Sequence, residues 1–210
     1  MIASTDLLEK RVYLGGVTWA TYQALRQADE NVHLRMTFDR GALEIVSPSR
    51  KHEQVSYLIG RMIDQWTLLH EIDIAAGRNT TFSREDLDRG LEPDNCYWIS
   101  HEAVVRDQDD VDLHRDPPPD LVLEVDVTRS SIPKLPIYAA LGVPEVWHWR
   151  LGALEVLRLD AEGQYRPRKG SGELPRFPLA AASELLQSRA GRSDTAVIQA
   201  FIRSIRPRRK

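Results

Sequence analysis

Four carboxylates and one amine are the residues of this chain whose types and spacing could do chemistry. Asp94 follows Pro93 in EPDNCYWI; Asp120, Glu124 and Asp126 lie in the run PPPDLVLEVDVT; and Lys134 stands just beyond, in SSIPKLPIYAALG. Side chains alternate along a strand, so Asp120, Glu124 and Asp126 share one face with Val122 between them. Leu121, Leu123, Val125 and Val127 make the other face aliphatic. An ionised carboxylate buried without a partner is costly, so a strand that turns acids inward pairs them, protonates them or gives them a cation. The same alternation also fits a half-exposed strand whose acids face water.

Taken by chemistry, Asp94, Glu124 and Lys134 are the parts of a cation-assisted phosphodiester hydrolase. Carboxylates on adjacent strands offer hard oxygen ligands to Mg²⁺ or Mn²⁺, which takes the rest of its shell from water and phosphate. An ammonium group orients the attacking water or stabilises the charge that develops, so no serine or cysteine nucleophile is required. Asp94 after a proline also fits a plain turn residue.

Several elements must position these groups. Residues 120 to 128 read as a strand, followed by a polar joint at Thr128, Ser130 and Ser131 and a short helix over 136 to 141 that stops at Gly142 with Pro144 beyond. The strand before it runs through Cys96, Tyr97, Trp98 and Ile99, with Asp94 at its beginning. Residues 50 to 70 predict a long amphipathic helix on Val55, Leu58, Ile59, Met62, Trp66 and Leu69. His52 and Glu53 lie in its first turn, and Glu53 points off the apolar stripe towards solvent or a cleft, where the helix dipole by itself favours an acid.

Upstream, Thr18 caps a helix running to about Glu30, and the alternating stretch VHLRMTFD turns at Asp39-Arg40-Gly41 into a second strand from Leu43 to Val46. Ile72 to Ala76 and Thr80 to Phe82 predict short strands joined through Gly77, and 101 to 119 a connection. VPEVWHWR and ALEVLRLD predict a hairpin turning at Leu151-Gly152, whose tryptophan-bearing stretch from Val146 to Leu159 is a candidate self-association surface for a homodimer. Glu162 to Pro178 reads as a surface excursion, and helices follow over 181 to 187 and 194 to 205.

At 210 residues the chain is long enough for one sizeable core and short for two, so a single domain over 1–210 is expected, with 1–14 as an N-terminal lead and 206–210 as a basic tail. A hydrophobic share of 42% against 28% charged is the balance of a soluble globular protein. The net charge of −3 does not advertise a polyanion partner on the average surface. Cys96 is the sole cysteine, which excludes an intrachain disulfide and a cysteine-built zinc site and fits a reducing compartment. MIASTDLLEKRVYL lacks the apolar core of a signal peptide, and no later run is long enough to span a bilayer. A cytoplasmic protein without a membrane partner is expected. No repeat, Walker loop or GxGxxG is present.

The blocks ALEIVSPSRKHEQV, EPDNCYWI, PPPDLVLEVDVT and KLPIYAALGVPEVWHW, in this order, closely resemble the Uma endonuclease family of the PD-(D/E)xK restriction-endonuclease-like superfamily, over roughly residues 15 to 160. The resemblance implies an α/β (α+β) restriction-endonuclease-like core. A mixed four-stranded central sheet is flanked by helices, with this chain's N-terminal and C-terminal hairpins added, and a metal-dependent nuclease site lies at the split of the sheet. It implies Asp94 as the first aspartate of the motif, Glu124 as its (D/E), and Glu53 as the acid that some members carry on the first core helix. Where the motif expects lysine two residues after Glu124, this chain has Asp126. Lys134 is then the candidate for a migrated lysine, Asp126 an added metal ligand or partner for that lysine, and Asp120 an outer-lying acid or a rival for the first-aspartate role. The implied activity is Mg²⁺- or Mn²⁺-dependent cleavage of DNA. A catalytically silent relative that binds nucleic acid or protein, and a hydrolase of a small phosphoester, remain alternatives.

Overall fold

The computed structural model describes residues 9–78, 80–126 and 130–206. The chain enters through β1 (Lys10–Leu14), a largely exposed strand. Residues 10–14, expected as a lead, therefore belong to a sheet; the first eight residues lie outside the described ones, as do Asn79, Val127, Thr128, Arg129 and 207–210 of the basic tail.

Helix α1 (Trp19–Gln27) starts where the Thr18 hydroxyl accepts from the Thr21 N–H, 3.2 Å away. It buries Tyr22, whose ring stacks on Phe38 with 4.8 Å between centroids, and so covers the hairpin of β2 (Arg35–Asp39) and β3 (Ala42–Ser47). The turn between them has positive φ at both Arg40 and Gly41, the geometry that suits the twist of a tight hairpin. The predicted strand from Val32 begins three residues late, because a 3₁₀ turn occupies Asp29–Asn31 and the Leu34 N–H closes on the Asn31 carbonyl.

Helix α2 (Arg50–His70) is capped by Ser49, whose hydroxyl accepts from the His52 N–H at 3.2 Å. Its apolar stripe is buried along Val55, Leu58, Ile59, Met62, Ile63 and Trp66, each of which adds about 1.5–3 kcal/mol by leaving water. There follow β4 (Ala75–Ala76), β5 (Phe82–Arg84), β6 (Arg89–Leu91) and β7 (Asn95–Trp98), then the single turn α3 (Glu102–Val105) within the predicted connection. Strand β8 (Leu121–Val125) leads to α4 (Leu135–Leu141), which ends at Gly142 with φ 79° as predicted. Strands β9 (Glu145–Arg150), β10 (Ala153–Leu159) and β11 (Tyr165–Arg168) precede α5 (Leu179–Gln187) and α6 (Asp194–Ile205).

Two sheets result, one ordered β1-β3-β2-β6-β5 and the other β11-β10-β9-β8-β7-β4. In the second, β8 and β9 run parallel through the α4 crossover while the remaining pairs are antiparallel. The mixed four-stranded core implied by the resemblance is thus β7 to β10, widened by β4 and β11. All five residues of β8 are buried, which removes the half-exposed reading of this strand. Its odd face, Leu121, Leu123 and Val125, packs with α2, α5 and α6. Its even face, at Val122, meets Ile137, Tyr138 and Leu141 of α4 together with Phe82 and Leu91 of the other sheet.

Two expectations are corrected here. The tryptophans of the hairpin are not a free apolar face: Trp147 is 0% exposed and Trp149 8%, because α5 and α6 of the same chain close over them. The excursion from 162 to 178 is not wholly superficial either. Residues 165–168 form β11, and Leu174 and Phe177 enter the core, held by Glu145, whose carboxylate accepts from Ser171 Oγ at 2.5 Å and the Gly172 N–H at 2.7 Å.

Candidate active site

The register of β7 on β8 pairs Asn95 with Leu123 and Cys96 with Val122, so the next residue outward on each strand is Asp94 on one and Glu124 on the other. Antiparallel residues directly opposite share a face, and two like charges there repel unless cations intervene. Two cations do. Lys134 Nζ donates to Glu124 Oε2 at 2.6 Å, and His52 Nε2 stands 2.7 Å from Asp94 Oδ1, an ion contact lying off the line of the imidazole N–H. The other oxygens are also engaged: the Val125 N–H donates to Asp94 Oδ2 at 2.7 Å, and the Tyr138 hydroxyl donates to Glu124 Oε1.

Local structure explains each placement. The α2 cap turns His52 inward on the same face as Val55 and Ser56, and the Ser56 hydroxyl donates to the Asp94 carbonyl at 3.3 Å. The Lys134 stem enters at the head of α4, and Tyr138 follows one helical turn later, so ammonium and phenol address the same carboxylate. The polar joint before Lys134 is anchored from the other sheet. Buried Glu44 accepts from Ser130 Oγ and the Ser131 N–H, each at 2.6 Å, and from Arg11 Nη1 at 2.9 Å. Arg11 also reaches Glu9 at 2.8 Å, and Glu9 contacts His52 Nδ1 at 2.5 Å. A line of alternating charge therefore runs from Glu44 through Arg11, Glu9 and His52 to Asp94.

Burial alone would discharge His52, but the carboxylates of Asp94 and Glu9, one against each ring nitrogen, outweigh it and raise its pKa to about 10, so the ring is an imidazolium. For Asp94, burial pushes the pKa up while His52, Lys134 and the Val125 N–H bring it below the ordinary carboxylate value. Glu124 goes the other way. Its burial and the facing Asp94 charge outweigh Lys134 and leave its pKa raised. Burial would lower the Lys134 pKa, but the carboxylates of Glu124 and Asp94 hold it up, so the ammonium persists.

The remaining predicted residues are dispersed. Asp126 lies past the end of β8, 37% exposed at its side chain, with its carboxylate 2.7 Å from His148 Nε2. Asp120 is four residues before Glu124 and so about 13 Å along the strand. It clamps the bend after β7, accepting from the N–H groups of Ile99 at 2.6 Å and His101 at 3.1 Å and from the His101 ring. Glu53 is half-exposed, 3.5 Å from Arg35, and with Asp94 it lines a cleft of about 370 Å³ that also carries Tyr57, Arg61, Asp64 and Arg78. Among the described residues, no group of three or more His, Cys, Asp and Glu side chains is disposed to hold a metal ion. No helix among them is long and apolar enough to cross a membrane.

Sequence reasoning passed over His52, Tyr138 and Glu9. The first two carried a signal, His52 by its phase with the buried stripe of α2 and Tyr138 by its four-residue spacing from Lys134. Glu9 carried none, because its contact spans two sheets' worth of chain. Comparison with curated proteins found no match. Residues 19–188, most of the chain and all of the Asp94, Glu124, Lys134 and His52 cluster, match a family described as "Putative restriction endonuclease". The chain belongs to the Uma2 family, and its mixed α/β architecture is that of the restriction-endonuclease-like fold.

Proposed function

We propose that this chain is a metal-assisted nuclease that hydrolyses phosphodiester bonds in DNA, with Asp94, Glu124 and Lys134 as its working groups. One observation carries the reading: two buried carboxylates face each other across β7 and β8, with a partly exposed ammonium 2.6 Å from one of them. The donor chemistry fits a hard divalent cation. Mg²⁺ and Mn²⁺ accept a pair of carboxylates and fill the rest of their shell with water and phosphate oxygens, so two protein ligands suffice. Asp94 and Glu124 would hold the ion, which when bound supplies Lewis acidity at the phosphoryl oxygen and eases deprotonation of water.

The protein's own groups do the rest. His52 cancels the charge of Asp94 and fixes its orientation, while the Val125 N–H ties that carboxylate to β8. Tyr138 holds one oxygen of Glu124 by its hydroxyl, leaving Lys134 to exchange between the other oxygen and the substrate's developing negative charge. Asp126 draws on the charge of Lys134 from the strand end, and Glu53 faces the cleft from α2. Both are proposed as outer contributors.

A second reading is favoured by a specific observation. Each oxygen of both carboxylates already has a protein partner, which also suits a non-hydrolytic nucleic-acid-binding relative. Cleavage of supercoiled plasmid with Mg²⁺ or Mn²⁺ separates the two. The nuclease reading expects nicking that EDTA abolishes and that E124Q and K134Q each reduce about 10²- to 10³-fold. It also expects calorimetric Mn²⁺ binding that E124Q loses. Equal, metal-independent behaviour of wild type and E124Q overturns it in favour of the binding protein.

A further inference from the structure

A second groove, of about 650 Å³, opens at the carboxyl end of β8, on the other flank of the α2 first turn from the Asp94 cleft. Its charge is one-sided. Lys51, Arg189 and Arg192 line it, and its acid, Asp126, is engaged by His148. Among the described residues none of the three cations forms a salt bridge; Arg192 alone has a partner, the Ala196 carbonyl at 3.1 Å. In a chain of net charge −3 this is a local reversal of sign. Uncompensated cations gathered along a groove suit a regularly spaced polyanion.

The rim carries a second anomaly. Leu151 is 95% exposed, with φ 51°, in the two-residue turn it shares with Gly152 between β9 and β10. That turn favours asparagine before glycine, because a branched side chain at positive φ crowds its own backbone. Water disfavours the same leucine. The tip is held firmly, the Gly152 carbonyl accepting from Gln187 Nε2 at 2.7 Å, so the leucine stands fixed above the basic groove.

We infer that this groove is a track for a polynucleotide strand, with Lys51, Arg189 and Arg192 on its phosphates and Leu151 pressed against a sugar or base as an apolar wedge. The inference deepens the nuclease reading and rests on it for the strand's destination at the Asp94–Glu124 pair.

Fluorescence anisotropy in EDTA, with a labelled DNA duplex and its single strand over a salt series, tests it apart from catalysis. R189A/R192A should lower the slope of log affinity against log salt by about 1.8 for duplex or about 1.4 for single strand, and R189K/R192K should restore it. L151N should bind severalfold more weakly while its Tm stays level or rises by about 2–4 °C, since asparagine suits the turn. A merely structural leucine gives the reverse pair of results. No binding of either probe by wild type, or an unchanged slope in R189A/R192A, overturns the track. Plasmid cleavage read in parallel keeps the two readings distinct: cleavage with unchanged slopes sinks the groove alone, and arginine-dependent binding without cleavage sinks the hydrolysis alone.

Discussion

Replacing His52 by glutamine removes a positive charge that stands between two buried acids. Glu9 and Asp94 have side chains 0% and 3% exposed, so neither can recover its hydration without opening the structure. The rise of the His52 pKa from 6.5 to about 10 corresponds to about 4–5 kcal/mol at low pH. Breaking a buried pair by removing one member costs about 3–5 kcal/mol. These are one energy seen twice, as is the lowered Asp94 pKa, and they are not summed. Arg11 remains beside Glu9, and the Val125 N–H and Lys134 remain for Asp94, which places the loss at about 3 kcal/mol, the lower end of the range for a broken buried pair. For a chain of this length that is a Tm lowered by about 6–12 °C. Urea unfolding of wild type and H52Q measures it. The folded pKa lies above the unfolded one, so the His52 contribution is complete below pH 6.5 and fades as pH rises towards about 10. The gap between wild type and H52Q should therefore narrow at alkaline pH. D94N in the H52Q background should recover part of the loss, with a coupling of about 0.5–3 kcal/mol. A loss under about 1 kcal/mol for H52Q, or a gap that widens with pH, refutes the charge line through this residue.

Three further outcomes are expected. Y138F deletes a buried hydrogen bond to a carboxylate and should cost about 1.5–3 kcal/mol in urea, with an unchanged denaturant slope; a neutral result would show that the hydroxyl does not restrain Glu124. E145Q turns an amide donor or a lost acceptor onto the Gly172 N–H and Ser171 Oγ, so trypsin should cut at Lys169 or Arg176 faster than in wild type, and equal rates would detach Glu145 from the packing of that segment. Cys96 is fully buried with its thiol pushed far above the ordinary range by desolvation, so a chromogenic thiol reagent should react only at the rate of unfolding, and fast labelling of the native chain would contradict that burial.

What was legible in advance followed local rules. The 3.6-residue repeat of Val55, Leu58, Ile59 and Met62 defined α2, and Gly142 the end of α4, because helix phase and caps are properties of neighbouring residues. The alternation in LVLEV gave the two faces of β8, and the aliphatic one is the core. Evenness of spacing put Asp120 on the face of Glu124 but left its distance open, and four residues of strand separate the two. Composition misled over 162–178, where Leu174 and Phe177 are two apolar anchors in a glycine- and arginine-rich stretch.

By itself, then, the order of residues determined the acids on adjacent strands, the helix that carries Lys134 and the family to which the blocks belong. Only the tertiary structure decided that β8 is a central strand, that Asp94 stands opposite Glu124, and that His52 and Tyr138 are their partners. The physical reason is range. Caps and periodicities are set within a few residues, whereas strand register and the pairing of buried charges are set by free energies between segments far apart in the chain, which no local pattern encodes.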